Sequence, residues 1–394
     1  MIIHAPIQIQ MGAEIHLSVQ VELAGKKKRG QPHELWFRFP MQFQSVISKE
    51  IDPFAVALLL LAMKNREPIL LQGSLSRKLF QGLKEYQRIY HSWYPEVFHE
   101  IEIQPASLRD DLQNAGGVAA CAFSGGVDSF YTLLTLMRRD GATITSKATK
   151  PTLSHTLFMA GFDMPRHLSQ SISELTSSYS VMMKELKIQF VAGSTNIRSF
   201  VNAVDWTNAH GQALAATALF FKDSWGQFYI PSSYTATTYP KWGTHPSLDH
   251  LLSTESLKFV HHGTESNRVS KLNLISNYPE SYSRLRVCWI QDIGLKNCGE
   301  CEKCVRTMVA LDILGKLSCY STFGRKSLNP GKIRDLKMRT HQARLFAQEL
   351  IWEAAKRLKL SVCANLGFAL LQRELFRHKI EWRKMFGFRV SGKK

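Results

Sequence analysis

A hexamer rich in glycine and serine, Ser124-Gly125-Gly126-Val127-Asp128-Ser129, lies between the apolar run GVAACAF and the apolar helical segment FYTLLTLMRR. A strand, a glycine turn and a helix N-terminus in this order form an anion site, because backbone N–H groups and the helix dipole converge there. The hydroxyls of Ser124 and Ser129 can add hydrogen bonds. The hexamer has no lysine of the kind found in P-loop NTPases, so it does not predict that class. An ordinary capped strand-to-helix turn is the alternative.

Further short apolar runs follow along the chain, and helical segments such as HGQALAATALFF separate several of them. These runs are HTLFMAGF (155–162), IQFVAGS (188–194), GQFYIPSS (226–233) and LKFVHHG (257–263). Apolar strands that alternate with helices predict an α/β fold with a doubly wound, mostly parallel sheet. Ligands of such sheets bind at the carboxyl ends of the strands.

The rest of the chain predicts three flanking segments. Residues 1–112 carry alternating strand patterns around two helices and are interpreted as an N-terminal α+β domain, with Asp52 as the N-cap of the first helix. Residues 113–282 are predicted to form the α/β domain that contains the hexamer, residues 283–319 a cysteine segment, and residues 320–394 a basic helical segment. No internal repeat is present.

Four of the seven cysteines occur within seventeen residues, at Cys288, Cys298, Cys301 and Cys304. Four thiolates at this spacing suit a closed structural Zn²⁺ site, which would also tie a loop with little apolar core to the fold. An iron–sulfur cluster and unligated cysteines are the alternatives. The other three, Cys121, Cys319 and Cys363, are interpreted as isolated core or surface residues.

Charge and hydropathy limit the class of protein. The chain of 394 residues has 50 Lys and Arg against 32 Asp and Glu, and residues 320–394 alone have 18 against 5. This basic tract suits an anionic partner such as RNA, DNA or a nucleotide, or else it is a solvated helical face. The longest apolar run has ten residues, about half of a membrane span. With no leader pattern and an odd cysteine count, a reducing, cytoplasmic compartment is expected and no membrane partner.

The hexamer resembles the pyrophosphate-binding loop of the PP-loop family, the N-type ATP pyrophosphatases, whose members cleave ATP between the α- and β-phosphates. The resemblance implies that residues 124–129 contact the phosphates and that Asp128 and Ser129 are catalytic. Asp128 would hold Mg²⁺ or cap backbone donors of the loop. It implies a pyrophosphate contact and a catalytic role for Lys271, with Arg268 beside it; a surface lysine without function is the alternative. The strand end at Met159 and Gly161 would meet adenine, with His210-Gly211-Gln212 as a weaker candidate; an ordinary exit from strand to loop is the alternative.

Together with the four cysteines and Arg306, residues 117–315 resemble the 7-cyano-7-deazaguanine synthase family. The resemblance implies zinc ligation by the four clustered cysteines. Trp242, His245 and Asp249 lie in the stretch that takes the place of the substrate loop, and they are candidate substrate contacts together with Arg306. An ordinary surface loop and a structural arginine are the alternatives. The N-terminal 112 residues and the basic tail depart from that family, so the chain resembles an enlarged relative.

The expected activity is therefore ATP-dependent and forms AMP, with ATP, Mg²⁺ and Zn²⁺ as cofactors and a 7-deazaguanine-type small molecule as substrate. Enlarged relatives of this type also occur in bacterial anti-phage operons, which raises a defence role. An RNA or protein acceptor on the basic tail and a homodimer are left open. Two alternatives remain: a tRNA-modifying PP-loop enzyme that performs thiolation or lysidine-type ligation, and a non-catalytic zinc-containing nucleic-acid-binding protein.

Overall fold

The structure, a computed structural model, describes residues 1–23, 33–112, 118–141, 152–324, 327–336 and 341–371. The chain divides into two compact units, residues 1–266 and residues 267–394. The strands of the first unit are β1 (Ile2–Ile3), β2 (Ile7–Met11), β3 (Glu14–Glu22), β4 (Glu34–Pro40), β5 (Ile69–Ser76), β6 (Ile103–Arg109), β7 (Val118–Ala122), β8 (Leu153–Ala160), β9 (Gln189–Thr195), β10 (Trp225–Pro231) and β11 (Lys258–His262). The helices of this unit are α1 (Asp52–Asn65), α2 (Arg77–Trp93), α3 (Val127–Gly141), α4 (Ser169–Glu185), α5 (Ile197–Val201) and α6 (Trp206–Leu219).

Within the described residues, these eleven strands form one sheet in the order β11-β10-β7-β8-β9-β4-β3-β1-β5-β6, with β2 paired on β3. The five strands from β11 to β9 are all parallel. The predicted α/β class with a mostly parallel central sheet is confirmed. Numbered along the chain from β7 to β11, the five parallel strands lie in the order 3-2-1-4-5, which is compatible with a doubly wound fold. The order reverses between β7 and β10, which is where such sheets bind ligands.

The predicted domain boundary near residue 112 does not separate two bodies in this structure. Strand β4 pairs antiparallel with β9, with Phe37 opposite Thr195 and Arg38 opposite Ser194. The N-terminal strands therefore extend the parallel sheet, and residues 1–266 share one compact unit. The boundary was placed by a change in local pattern, and a local pattern carries no information about which distant strand will pair with an edge.

The core of this unit contains two apolar helices, α1 and α6. Every residue of α1 from Asp52 to Met63 is buried, and α6 presents buried alanines that let the two helices approach closely. The side-chain amide of Gln212 on α6 accepts from the Leu60 N–H (3.3 Å) and donates to the Ala57 carbonyl (3.1 Å) of α1. Gln212, a weak candidate for the adenine pocket, is thus a helix-packing residue.

The start of α1 differs from expectation by one residue. Asp52 is the first helical residue, not the N-cap, and its side chain is fully buried. Its carboxylate accepts the Ser76 N–H (2.9 Å) and pairs with Arg109, which also contacts Asp111 (2.8 Å). Burial is the main cause that raises the pKa of Asp52, opposed by Arg109. The carboxylate thus connects the start of α1 to strands β5 and β6.

The second unit contains helices α7 (Arg268–Ile275), α8 (Glu302–Ile313), α9 (Pro330–Arg334) and α10 (His341–Lys356), and residues 360–371 are helical. Of the predicted basic segment, residues 325–326, 337–340 and 372–394 lie outside the described residues. The cysteine segment precedes α8, and Cys301 is the N-cap of that helix. Among the helices described, none combines the length and the apolar character needed to cross a lipid bilayer.

Candidate functional site

The loop between β7 and α3 requires glycine at Gly125. Its φ is +76°, in the left-handed region that glycine adopts without steric cost. The residue is buried, and a Cβ placed on it would lie 1.8 Å from the hydroxyl oxygen of Tyr179. Tyr179 is itself fully buried between Phe123 and Phe158, so it cannot move away. The backbone of the loop is therefore held close to α4.

Hydrogen bonds within the hexamer fix its shape. The Ser129 hydroxyl donates to the Gly126 carbonyl (3.0 Å), and the Gly126 N–H donates to the Ser124 hydroxyl oxygen (3.4 Å). The two serine hydroxyl oxygens are 3.5 Å apart. Helix α3 starts at Val127, so the first-turn N–H groups, which lack intrahelical partners by geometry, lie at the same end. The arrangement can bind an anion at the carboxyl end of β7.

Asp128 joins this loop to the loop that follows β10. The Ser233 hydroxyl donates to Asp128 Oδ2 at 3.2 Å. Ser233 comes two residues after the end of β10, and Asp128 is in the first turn of α3. The contact lies at the point of the sheet where the strand order reverses. The structure therefore brings Ser124, Asp128 and the post-β10 serines to the same crevice.

The turn after β8, predicted to meet adenine, closes on itself. The Gly161 N–H donates to the Met164 carbonyl (2.7 Å), and a Cβ on Gly161 would lie 2.1 Å from the Thr195 carbonyl oxygen. Met159 is buried in the strand. Asp163 accepts from the indole N–H of Trp206 (2.9 Å), which joins the turn to the start of α6. The turn lies at the edge of the sheet where ligands bind, but the Gly161 N–H donates within the turn, to the Met164 carbonyl.

Aromatic rings line the region between α6 and the stretch after β10. Trp242 lies 5.5 Å from His210 and 5.9 Å from Tyr234, measured between ring centroids. Burial lowers the pKa of His210, whose Nδ1 lies 3.0 Å from the Trp206 carbonyl oxygen. Both ring pairs pack edge to face, at 63° and 80° between the ring planes, and Tyr234 is buried. A partly open indole face suits a flat heteroaromatic ligand. Trp242 is half-buried and remains a candidate for stacking.

Asp249 and His245 were predicted to contact substrate from an open loop, but both are packed against other protein groups. Asp249 is 1% exposed; one carboxylate oxygen accepts the His245 N–H (3.2 Å) and the other lies 2.6 Å from Nδ1 of His261. His245 packs against the rings of Tyr239 (4.8 Å) and Trp93 (5.0 Å). Burial, then the nearby His261, lowers the pKa of His245. The Asp249 carboxylate is thus engaged by protein groups and does not face a ligand directly.

The predicted cations Lys271, Arg268 and Arg306 belong to the second unit. Lys271 on α7 is 1% exposed, so it is not a surface lysine. Arg306 pairs with Glu302 (3.0 Å) and lies over the ring of Phe346 (4.1 Å). Burial raises the pKa of Glu349 on α10, and the charges of all three cations oppose that rise. Glu349, which the sequence did not indicate, is the acidic group affected by the charges of all three cations.

The four clustered cysteines converge as predicted. Their sulfur atoms all lie within 4.8 Å of one another, with 3.9 Å between Cys288 and Cys301 and 3.7 Å between Cys298 and Cys304. A hydrogen bond from Cys304 is the main cause that lowers the pKa of Cys301 to about 4. Backbone N–H groups also point at the sulfurs, for example from Cys301 to Cys298 (3.2 Å). The cluster could hold a metal ion such as zinc.

A buried asparagine that the sequence did not single out fixes two of these cysteines. The Asn297 carboxamide oxygen accepts the N–H groups of Val287 (2.8 Å) and Cys288 (3.1 Å), and its amide donates to the Leu285 carbonyl (2.9 Å). Asn297 directly precedes Cys298, so one side chain sets the distance between the two halves of the cluster. An asparagine next to a cysteine is too common a pattern to have been found by sequence.

Replacing Asn297 by alanine is expected to weaken metal binding about 10–100-fold, because residues that orient ligands typically contribute that much. The measurement is a competition titration with a chromogenic chelator. Asn277→Ala is the control, since Asn277 is exposed and outside the cluster. Equal affinities of the two variants would contradict the orienting role.

Comparisons with protein families, with curated proteins and with solved structures found no match for this chain.

Proposed function

We propose that this chain is an ATP-dependent enzyme that forms AMP and pyrophosphate and adenylates a carboxyl or carbonyl oxygen of a second substrate. The observation that carries the proposal is the loop around Gly125, an anion site between β7 and α3 at the reversal point of the sheet. The sequence resemblance to the PP-loop family supports the α–β cleavage. The absence of a phosphate-loop lysine in residues 124–129 agrees with it.

In this proposal the loop binds the departing pyrophosphate. Backbone N–H groups at the start of α3 and the hydroxyls of Ser124 and Ser129 stabilise the charge that develops as the α–β bond breaks. Asp128 has an oxygen ligand suited to Mg²⁺, and Ser233 orients that carboxylate by its hydrogen bond. Mg²⁺, when bound, neutralises phosphate charge. The roles of Met159, Gly161 and Lys271 toward the nucleotide stay predictions.

A 7-deazaguanine-type acid is the substrate we propose, with nitrile, amide or conjugate formation as the outcome. Support comes from the joint resemblance of the hexamer and the cysteine cluster, and from the half-buried ring of Trp242, which packs against His210 and Tyr234 near α6. A flat bicyclic ring can stack on such a ring, while its carboxyl group receives AMP. A role in anti-phage defence is part of the proposal as a biological setting.

Zinc is the metal we propose for the cysteine cluster. A tetrahedron with metal–sulfur bonds of about 2.3 Å has sulfur–sulfur edges of about 3.8 Å. The sulfur–sulfur distances of 3.9 Å for Cys288 and Cys301 and 3.7 Å for Cys298 and Cys304 lie on either side of that value. An iron–sulfur cluster spreads its thiolates over several iron atoms, which separates the sulfurs more widely. A site with four protein sulfurs and no open position is structural.

The test is mass spectrometry of the protein with ATP, Mg²⁺, ammonium and 7-carboxy-7-deazaguanine. We expect AMP, pyrophosphate and an adenylated, amide or nitrile product, all of which disappear in Asp128→Ala. Asp110→Ala is the control, because Asp110 is exposed and pairs only with Arg77 among the described contacts. AMP formation that ignores the acid would overturn the substrate. Release of the terminal phosphate instead of pyrophosphate would overturn the reaction class.

The tRNA-modifying alternative is favoured by one observation, the 18 Lys and Arg against 5 acidic residues in residues 320–394. It predicts RNA binding whose affinity falls steeply with salt, by a logarithmic slope close to the number of phosphates contacted. Truncation after residue 371 should reduce that slope. A non-catalytic zinc-containing nucleic-acid-binding protein would release no pyrophosphate with any acid or RNA.

A further inference from the structure

Three side chains from three segments, Tyr239, His261 and Asp249, form a hydrogen-bonded triad beside the crevice. Asp249 Oδ2 lies 2.6 Å from Nδ1 of His261, and Nε2 of His261 lies 2.8 Å from the hydroxyl oxygen of Tyr239. Asp249 belongs to a short 3-10 helix, His261 to β11 and Tyr239 to the stretch after β10. The sequence does not predict this contact, because the three residues lie 10 to 22 positions apart along the polypeptide.

The chain of hydrogen bonds has a fixed direction. The Asp249 carboxylate is 1% exposed and needs donors, so the proton of a neutral His261 is held on Nδ1 and points at Asp249. Nε2 is then an acceptor, and the Tyr239 hydroxyl donates to it. Asp249 keeps its other oxygen on the His245 N–H, which prevents the carboxylate from rotating. The geometry matches an acid that orients a base, which in turn accepts from a hydroxyl.

The hydroxyl end of this triad is connected to the candidate nucleotide site through the serines that follow β10. The Tyr239 oxygen lies 3.3 Å from the Ser232 hydroxyl, and the next residue, Ser233, donates to Asp128. Burial is the main cause that raises the pKa of Tyr239, and the charges of Asp249 and Asp128 add to the rise. Tyr239 is half-buried, whereas Asp249 is enclosed. His261 is also half-buried as a residue, although its side chain is only 6% exposed. Tyr239 is the member in contact with Ser232, and the neighbouring Ser233 connects it to the loop residues 124–129.

We propose that Tyr239 is a catalytic residue that removes a proton from the attacking nucleophile, with His261 and Asp249 as positioning residues. The inference rests on the proposed function, and it adds a residue set for the second half of the reaction. Adenylation of a carboxylate needs no base, because the attacking oxygen is already ionised at neutral pH. Attack by an amine on the acyl adenylate does need one, because a proton must leave the nitrogen.

The step balances as follows. The amine nitrogen bonds to the acyl carbon, and the carbon–oxygen bond to AMP breaks, so that AMP leaves with the bonding electron pair. The nitrogen's proton moves to the Tyr239 oxygen while the hydroxyl proton of Tyr239 moves to Nε2 of His261. The resulting imidazolium is neutralised by Asp249 at 2.6 Å and later loses its proton to solvent. No oxidant or further reactant is required.

Several other titratable groups surround the triad of Tyr239, His261 and Asp249. His245 lies against the Tyr239 ring, Asp128 acts on Tyr239 through its charge, and His210 is influenced by the charge of Asp249. On α2, the buried hydroxyls of Tyr86 and Tyr90 are also affected by Asp249. On β11, Lys258 and His262 flank His261 in sequence. A pH profile must therefore be compared between variants and not interpreted from one curve.

The experiment separates the two half-reactions in the full chain. Exchange of labelled pyrophosphate into ATP, with 7-carboxy-7-deazaguanine, reports adenylation; amide formation with ammonium reports the second half. In Tyr239→Phe we expect exchange within about twofold of wild type and amide formation reduced about 10²–10⁴-fold, the usual contribution of acid–base catalysis. At constant free ammonia, the residual rate should rise tenfold per pH unit, because hydroxide replaces the base, while the wild-type rate levels off.

Two further variants and a control test whether the loss of amide formation comes from the triad and not from a folding defect. Asp249→Asn and His261→Gln should show the same selective loss, so a folding defect of Tyr239→Phe does not decide the matter. Tyr94→Phe is the matched control, because the Tyr94 hydroxyl donates to the Lys241 carbonyl (3.2 Å) and takes no part in the triad. Equal loss of both half-reactions in all three variants, or no loss of amide formation, would overturn the proposal. Absence of exchange in the wild type would overturn the proposed function, and the role of Tyr239 with it.

Discussion

Gly125→Ala is expected to abolish ATP–pyrophosphate exchange, with a loss of at least about 10²-fold, while the protein still folds. Two effects combine at this position. The backbone has φ of +76°, and the new methyl group would overlap the Tyr179 hydroxyl at 1.8 Å. Because Tyr179 is fully buried, the loop must move and not the tyrosine. A displacement of about 1 Å at a reacting group can cost that factor.

Gly12→Ala is the matched control for this experiment. Gly12 has φ of +61°, but a Cβ there would meet nothing within 4 Å. The same substitution should therefore cost only the left-handed backbone strain, about 1–2 kcal/mol in unfolding free energy, and leave exchange intact. Nucleotide binding measured by calorimetry completes the comparison. Wild-type ATP affinity in Gly125→Ala would contradict an anion site at this loop.

Cys298→Ser is expected to remove the bound metal and to unfold the segment around the cluster. Metal binding in small structural zinc sites is worth about 10–16 kcal/mol, which is comparable to the usual total stability of a domain, about 5–15 kcal/mol. Metal content is measured by atomic emission after dialysis. Amide exchange should lose protection between Leu285 and the start of α8, since Asn297 and the cysteines hold that backbone together.

Cys319→Ser is the control for the metal experiment. Cys319 is an exposed cysteine outside the cluster, and the same exchange of sulfur for oxygen there should change neither metal content nor amide protection. A chelator should reproduce the effect of Cys298→Ser on the wild-type protein. If the wild type contained no metal, or lost it without any change in amide protection, a structural role of the cluster would be excluded.

The strands of the parallel half were predictable because burial on both faces leaves short apolar runs. The five runs from GVAACAF to LKFVHHG became β7 to β11 within a few residues. The convergence of the four cysteines was predictable for a different reason, since Cys298, Cys301 and Cys304 are close in sequence and their spacing can bring three thiols to one point. By contrast, β2 was not predicted: its Ile7, Ile9 and Met11 are exposed, so its alternation does not mark a buried face.

The contacts of the candidate site were harder to predict than its motifs. The hexamer is local, and its glycine, strand and helix agree with the structure. The position of Asp249 depends on where a 3-10 helix meets β11, so its pairing with His261 required the fold. Lys271 was predicted at the surface or at pyrophosphate, but whether it is buried depends on how α7 packs, which its own sequence does not specify.

The pairing of β4 with β9 has a consequence for synthesis on the ribosome. Residues 34–40 emerge early and can pair with β3, but their other neighbour comes roughly 150 residues later. At about 5–20 residues per second, that edge waits roughly 8–30 s for its partner. Strand β4 carries Phe37 and Phe39, so during this interval the nascent polypeptide exposes an unpaired, apolar strand edge with which other polypeptides can pair. The topology therefore favours shielding of this stretch during synthesis.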